Sequence, residues 1–474
     1  MKLKHLLSML TASICNCRSR VSKGSGMRFS ANRLDKLPLP KLRASSAGAQ
    51  SAPSVSGDNH PKLPQGLSDI KGLAFLDMAS GAPESDTPEV LKQAAAQAIM
   101  NGANQYGESH GDLELRRLYA GRLTEQMSVT RNLAGVSSAS ALADAACAID
   151  PVTQVTVLNG TSSALAAVLL STVNPGDEVL VFAPYFEGYL QAIAMAEARA
   201  VPVPLGNPPS TGFAAFPLAP AGFNWSVDEA ALRAAITPAT RAIIINSPHN
   251  PTGRVFTAAE LSIIAAVARE HDLLVISDEI YNLLTYQGEG VEAPVHLSIR
   301  ALPGMAERSV VIDGLSKTHS ASGWRIGFVT APVIITRQLR RIAAALGLAA
   351  PTPLVVASRL AYLPASDPQG RALADVLSEN RQELERNGRV LADALRRQGF
   401  ALCQPEGATY ILAGLPGRSG EFDDLAQFLH DRCRIKVAPG AAFFDGDEGR
   451  LWVRFCFARR PEIIDQVVER LALI

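Results

Sequence analysis

The chain has no surplus of either charge. Lys+Arg and Asp+Glu both number 45 in 474 residues, which removes the electrostatic footprint of a nucleic-acid or anionic-membrane binder and leaves a small molecule as the expected partner. Cysteine is scarce: Cys15, Cys17, Cys147, Cys403, Cys433 and Cys456 form no Cys-x-x-Cys pair and have no histidine at zinc-ligand spacing. Neither a disulfide framework nor a metal site is expected, and the usage fits a reducing compartment. No apolar run is long enough to span a bilayer. What is plentiful is core-forming material, with 47% hydrophobic residues, enough for a large core divided between two domains.

Basic residues gather at one end. The first 34 residues hold seven Lys or Arg and no acid before Asp35, a bias expected of a transit peptide or of a misplaced start. Residues 1–26 are read as a basic extension, with Met27 as an alternative start. The expected location is the cytoplasm, or a mitochondrion or plastid if the extension directs import. The stretch LLSMLTASIC has the length of a short signal core, but no small-x-small cleavage site follows it, so secretion is the weaker reading. Residues 27–80 read as an N-terminal arm and irregular segment that joins the smaller domain, with packing resuming near Leu73. Within it, RASSAGAQSAPSVSGDNHPKLPQG has the composition of a surface excursion.

Strand and helix signals then alternate, the pattern of an α/β fold with a mostly parallel sheet flanked by helices on both faces. VTVLNG, EVLVFAP, RAIIINSP, LLVISDE and SVVIDG are short apolar runs that end in turns or polar clusters, as doubly buried strands do. Thr87 is placed to cap a helix with Pro88 at its first position and Gly102 past its end. The Ala/Ser-rich SSASALADAACA reads as an insertion ahead of the first strand. A large domain is expected over 81–346. A smaller α+β domain follows over 347–474, opened by a long helix through LSENRQELERNGRVLADALRRQ.

Ligands of such sheets bind at the carboxyl ends of the strands, and the unusual residues collect there. NGTSSAL, after a strand and opening a helix, aims the amides around Gly160, Thr161 and Ser162 at an anion on the helix axis, although such a turn also caps an ordinary helix. Asn250 in SPHNPTG stands before a proline in a tight turn, where turn chemistry alone is an equal reading. SDEIY leaves Asp278, Glu279 and Tyr281 at the end of a strongly apolar strand, where a carboxylate needs a cationic partner or loses its charge. In GLSKTHSASGWRIGF, Lys317 and Arg325 stand eight residues apart among small residues. Singly, each is an ordinary surface charge.

Together with ASGAPESDTPE, NQYGESHGDLELRR, NPGDEVLVFAPYFEGY and VRFCFA, these segments resemble, in order and spacing, the aspartate-aminotransferase superfamily of fold-type I enzymes that use pyridoxal 5′-phosphate. The likeness runs from about Met27 to Ile474. It implies that Lys317 forms the Schiff base with the cofactor aldehyde and carries the proton between substrate and cofactor. Arg325 and the amides of Gly160, Thr161 and Ser162 would grip the phosphate. Asp278 would hold the pyridine nitrogen protonated, Asn250 and Tyr281 would bond the phenolic oxygen, and Phe186 would stack on the ring. Arg454 would bind the substrate α-carboxylate beside Gly81, and Tyr106 would reach the phosphate of a partner subunit. Many relatives carry serine where this chain has Gly314, so one phosphate contact is expected to be missing or replaced. Glu279 is left structural.

The resemblance implies a homodimeric, pyridoxal-phosphate-dependent transaminase that moves an amino group from an α-amino acid to a 2-oxo acid in a ping-pong cycle. A β-carbon–sulfur lyase and an aminocyclopropane-carboxylate-synthase-like enzyme are the alternatives on the same scaffold. The segment SIRALPGMAERSVVIDGLSKTHSASGW leans toward the kynurenine, glutamine and methionine branch, with large uncharged side chains as substrates. A cofactor-sensing regulator is disfavoured, because the N-terminal segment is too short and irregular for a helix-turn-helix.

Overall fold

All five apolar runs read as buried strands are strands of one sheet. The structure, a computed structural model, describes residues 73–133, 148–206, 224–287, 294–347, 349–415, 418 and 420–474. A short strand β1 (Leu76–Asp77) precedes the main sheet. That sheet comprises β2 (Val155–Asn159), β3 (Glu178–Ala183), β4 (Arg199–Pro204), β5 (Thr240–Asn246), β6 (Leu274–Asp278), β7 (Ser309–Gly314) and β8 (Ile326–Thr330). Its strand order is β2-β8-β7-β6-β5-β3-β4. The pairs among β3 to β7 are parallel, whereas β8 runs antiparallel to both β7 and β2.

Alternation along each strand divides the core between two faces. Ile243 and Ile245 point to the layer that contains Leu115, Leu123, Leu261 and Ile264 from helices Leu113–Leu133 and Ala258–Glu270. Ala242 and Ile244 point to the opposite layer, against Ala164 and Val168 of helix Thr161–Thr172 and Leu339 of helix Val333–Gly347. Each fully buried Ile or Leu contributes roughly 1.5–3 kcal/mol by leaving water, which is why this edge can hold buried polar groups in fixed positions.

Beyond the main sheet, helix Pro368–Arg397 starts at the Asp367 cap, whose carboxylate accepts the amides of Gln369 and Gly370. It packs on a four-stranded antiparallel sheet made of β9 (Ala401–Leu402), β10 (Tyr410–Gly414), β12 (Ala438–Pro439) and β13 (Trp452–Cys456), in the order β12-β13-β10-β9. β11 (Ile435–Lys436) pairs in parallel with β1, so the chain before the large domain is hydrogen-bonded to the C-terminal one.

One local expectation is corrected. Helix Glu89–Met100 has no side-chain cap: Pro88 is the capping residue, and the Thr87 hydroxyl donates instead to the carbonyl of Ser320, 3.0 Å away. The hydroxyl is turned toward a tertiary acceptor, and its oxygen caps no amide of the helix. The basic extension, the arm up to residue 72 and nearly all of SSASALADAACA lie outside the described residues.

Candidate active site

The carboxyl edge of the main sheet gathers the predicted residues because β8 is reversed. Strands β6 and β7 end at this edge with Asp278 and Gly314, and β8 begins there, with Gly314 opposite Gly327 and Asn159 opposite Ile326. Lys317 leaves β7 on the short helix Leu315–Thr318, and Arg325 enters β8 in a left-handed conformation, φ 55°. Eight residues of chain therefore turn back to the edge they left.

At the start of helix Thr161–Thr172, Gly160 has φ +82°, and a Cβ there would lie 2.4 Å from Arg325 Nη2. Only glycine lets the guanidinium lie against the first helical turn, where the amides of Thr161 and Ser162 have no carbonyl four residues back. A planar cation beside open amides is a cradle for a phosphate.

Lys317 Nζ donates to the carbonyl of Gly81 at 2.7 Å. Asp278 accepts from the hydroxyl of Tyr189 at 2.8 Å and from the amide of Ile280 at 3.3 Å. Burial pushes the Asp278 carboxyl up to about 6, against the pull of those two donors and the nearby Lys317. A carboxylate left short of positive charge at this depth fits a protonated ring nitrogen. Arg454 is 5% exposed; Nη1 donates to Asn250 Oδ1 at 2.9 Å and Nη2 to the carbonyl of Ala79 at 3.0 Å. Its Nε has no hydrogen-bond partner among the described residues. A buried guanidinium satisfied by neutral groups suits an incoming carboxylate. The residues thus fit a phosphorylated pyridine aldehyde and an amino acid.

Phe186 meets Tyr189, the residue whose hydroxyl holds Asp278, edge-on with ring centres 5.5 Å apart. The Tyr281 hydroxyl lies 2.9 Å from that of Tyr410, and burial with this neighbour pushes it well above the usual phenol range. A Cβ on Gly81 would lie 2.7 Å from the Tyr410 hydroxyl, so the loop passes too close for a side chain. Tyr106 stands apart: it is 87% exposed. Glu279 is fully buried and accepts from Ser277, Ser298 and His296, a structural anchor below the edge.

Tyr189, Tyr410 and Phe443 were not singled out in the sequence. Tyr189 holds Asp278; its signal was the second tyrosine of PYFEGY, three residues after Phe186. Tyr410 comes from β10 and lies 4.3 Å, ring centre to Cζ, from Arg454, with the Phe443 ring at 5.0 Å. Nothing in TYILAG or GAAFF marks either residue locally. Gly314, which the sequence marked as a departure from serine, has a steric reason for its identity: a Cβ there would lie 2.7 Å from the carbonyl oxygen of Ile326, so serine does not fit.

This fold with this edge defines a pyridoxal-phosphate transferase of fold type I. Residues 74–471 match the aminotransferase class I and II family, to which the chain belongs, and it is a pyridoxal-phosphate-dependent aminotransferase. It is 33% identical to the probable N-succinyldiaminopimelate aminotransferase DapC of Mycobacterium tuberculosis, over 85% of this chain and 93% of that one. The solved structure of N-succinyldiaminopimelate aminotransferase from that organism superposes with TM-score 0.71 at 32% identity, covering 86% of this chain and 97% of the other. Aromatic-amino-acid aminotransferase 2 of Thermococcus litoralis is 31% identical over 85% of this chain and 91% of its own. YbdL of Escherichia coli, described with a methionine aminotransferase function, superposes with TM-score 0.69 at 26% identity, covering 89% of this chain and all of the other. No helix among the described residues is long and apolar enough to cross a membrane.

Proposed function

We propose that Lys317 takes the cofactor aldehyde and moves the proton at the substrate Cα, with Asp278 on the ring nitrogen and Tyr281 and Asn250 on the phenolic oxygen. Arg454, beside Gly81, binds the substrate α-carboxylate. Arg325 and the amides at Gly160, Thr161 and Ser162 hold the phosphate, and Phe186 covers the ring. When bound, the cofactor supplies the sink for the electron pair left at Cα. The protein orients and carries protons around it. Asn250 spends Oδ1 on Arg454, which leaves its Nδ2 as the donor toward the cofactor. Tyr410 can donate to Tyr281, which frees the Tyr281 proton for the same oxygen.

Amino acid and 2-oxo acid use this one site in turn, as a ping-pong cycle requires. The division near residue 347 and a homodimer in which Tyr106 reaches the partner's phosphate belong to the same proposal; the exposed ring of Tyr106 and the β1–β11 pairing support it. The substrate side chain is large and uncharged, as in the kynurenine, glutamine and methionine branch. The aromatic walls of Tyr410 and Phe443 beside Arg454 are the observation that carries this choice.

Half-reactions of the purified holoenzyme with a panel of amino acids, followed by the loss of the bound cofactor's absorbance, test the proposal. Methionine, glutamine and aromatic amino acids should react faster than aspartate or arginine and release no pyruvate or sulfide. Lys317→Ala should abolish turnover and still retain cofactor through phosphate contacts. Ordinary turnover by that variant, or a preference for aspartate, would refute the corresponding assignment.

A further inference from the structure

We infer that Asp313 is a positioning residue for the amino transfer, its carboxyl tying the helix that bears Lys317 to the turn that bears Tyr281. The inference rests on the roles proposed above for those two residues. Asp313 is 5% exposed; Oδ1 accepts the amide of Gly314 at 2.6 Å, and Oδ2 accepts Asn282 Nδ2 at 3.1 Å. Gly314 opens the Lys317 helix, and Asn282 directly follows Tyr281 in a turn closed by its amide on the carbonyl of Glu279 at 2.9 Å. One side chain therefore holds two segments that approach the cofactor from different strands.

A buried carboxyl at a strand end is costly, and no Lys or Arg forms an ion pair with Asp313 among the described residues. Asp278 and Glu279 face it from the end of β6, Tyr119 from helix Leu113–Leu133 and Tyr362 from the turn Ser358–Tyr362. His319 and, at the mouth, Arg122 share its cavity. Burial and the two neighbouring carboxylates push Asp313 up to about 7. What offsets this cost is the pair of hydrogen bonds, and both end on chain that carries site residues.

The cavity behind Asp313 measures about 80 Å³, and the buried His319 Nε2 on its wall has no hydrogen-bond partner among the described residues. Most of the cavity wall is apolar, but Asn282, Thr318 and His319 beside Asp313 offer polar partners and Arg122 stands at its mouth, so water can take the place of the lost carboxyl in Asp313→Ala and the variant is expected to fold. What it loses is a fixed separation between Lys317 and Tyr281.

The test uses Asp313→Ala, Asp313→Asn, Asn282→Ala and the double alanine variant in the full chain. Three quantities are measured: the pyridoxal-phosphate dissociation constant by equilibrium dialysis, the half-reaction rate at saturating amino acid, and thermal unfolding of the cofactor-free protein. Asp313→Ala should weaken cofactor binding and slow the half-reaction by roughly tenfold each, the scale of losing a buried hydrogen-bond pair. Asn282→Ala should move both in the same direction by less, and the double variant should be no worse than Asp313→Ala. Asp313→Asn keeps an acceptor for the Gly314 amide, and its new NH2 can donate to the oxygen of a flipped Asn282 amide, so both ties persist and the variant should recover to within about threefold of wild type. If Asp313→Ala changes only the unfolding temperature, or if Asp313→Asn is as impaired as alanine, the positioning role is overturned. Failure of the underlying site assignment looks different: Lys317→Ala would turn over normally.

Discussion

Asp278 carries opposed demands that a single substitution separates. Burial lifts its carboxyl from 3.8 to about 6, so the folded chain holds that proton more tightly than the unfolded chain does. Stability of the cofactor-free protein therefore falls as pH rises from about 4 to 6, with the full loss present above that window. Asp278→Asn should remove this dependence and leave the cofactor-free protein more stable at pH 7 by on the order of 2 kcal/mol, measured by denaturant titration at pH 4.5 and 7. Its turnover should drop by orders of magnitude, because an amide cannot hold the ring nitrogen protonated. Near-normal turnover would remove Asp278 from the mechanism. Arg454 gives the complementary case. Lysine cannot reproduce its fork on a carboxylate, and losing one partner of a desolvated pair costs about 2–5 kcal/mol, so Arg454→Lys should lower kcat/KM by about two to three orders of magnitude. Cofactor retention should be unchanged, whereas release of cofactor with an unaltered KM would make Arg454 structural.

At the scale of elements, the reading succeeded where a period or an apolar run carried the signal and failed where an element answered to its neighbours. The five strands read from apolar runs needed no context. β4, with Pro202 and Pro204 inside it, reads as a poor strand and exists because it is the sheet edge, where missing amide donors are tolerated. β8 is five residues long and was hidden within the motif that ends at Phe328. Packing of β8 against the lysine helix also explains Gly314, and it makes a prediction. Gly314→Ser, which restores the residue common among relatives, should destabilise this chain by about 1–3 kcal/mol, because the new Cβ meets the backbone of Ile326 and not a movable side chain. Denaturant unfolding with bound and with removed cofactor checks this. A stabilised variant that binds cofactor more tightly would mean that the strand can yield.

For the whole molecule, the exposed Tyr106 turns the proposed dimer into a measurement. A Lys317→Ala subunit supplies a sound Tyr106 to its partner, and a Tyr106→Ala subunit supplies a sound Lys317 of its own. Random exchange makes half of the dimers hybrid, each with one intact site, so a 1:1 mixture should recover about a quarter of wild-type activity. The lysine variant alone should be inactive and the tyrosine variant alone impaired. A mixture no more active than the average of its parents would show that each site is complete within one subunit.

The sequence by itself determined the strand runs, the long helix, the order of the chemical groups and, through their spacing, the family and its cofactor, because those depend on residues near one another along the chain. Asp278 and Lys317 stood out because each closes or follows an apolar run, whereas Arg325 stood out only through the resemblance carried by the motif around Lys317. Tertiary structure alone decided that Tyr410 meets Tyr281 across 129 residues, that Tyr189 holds Asp278 across 89 and that Asp313 reaches Asn282 across 31. Such contacts follow from which strands pair and in which direction, and the reversal of β8 that returns Arg325 to the edge of Lys317 is a property of the assembled sheet, with no local signal to announce it.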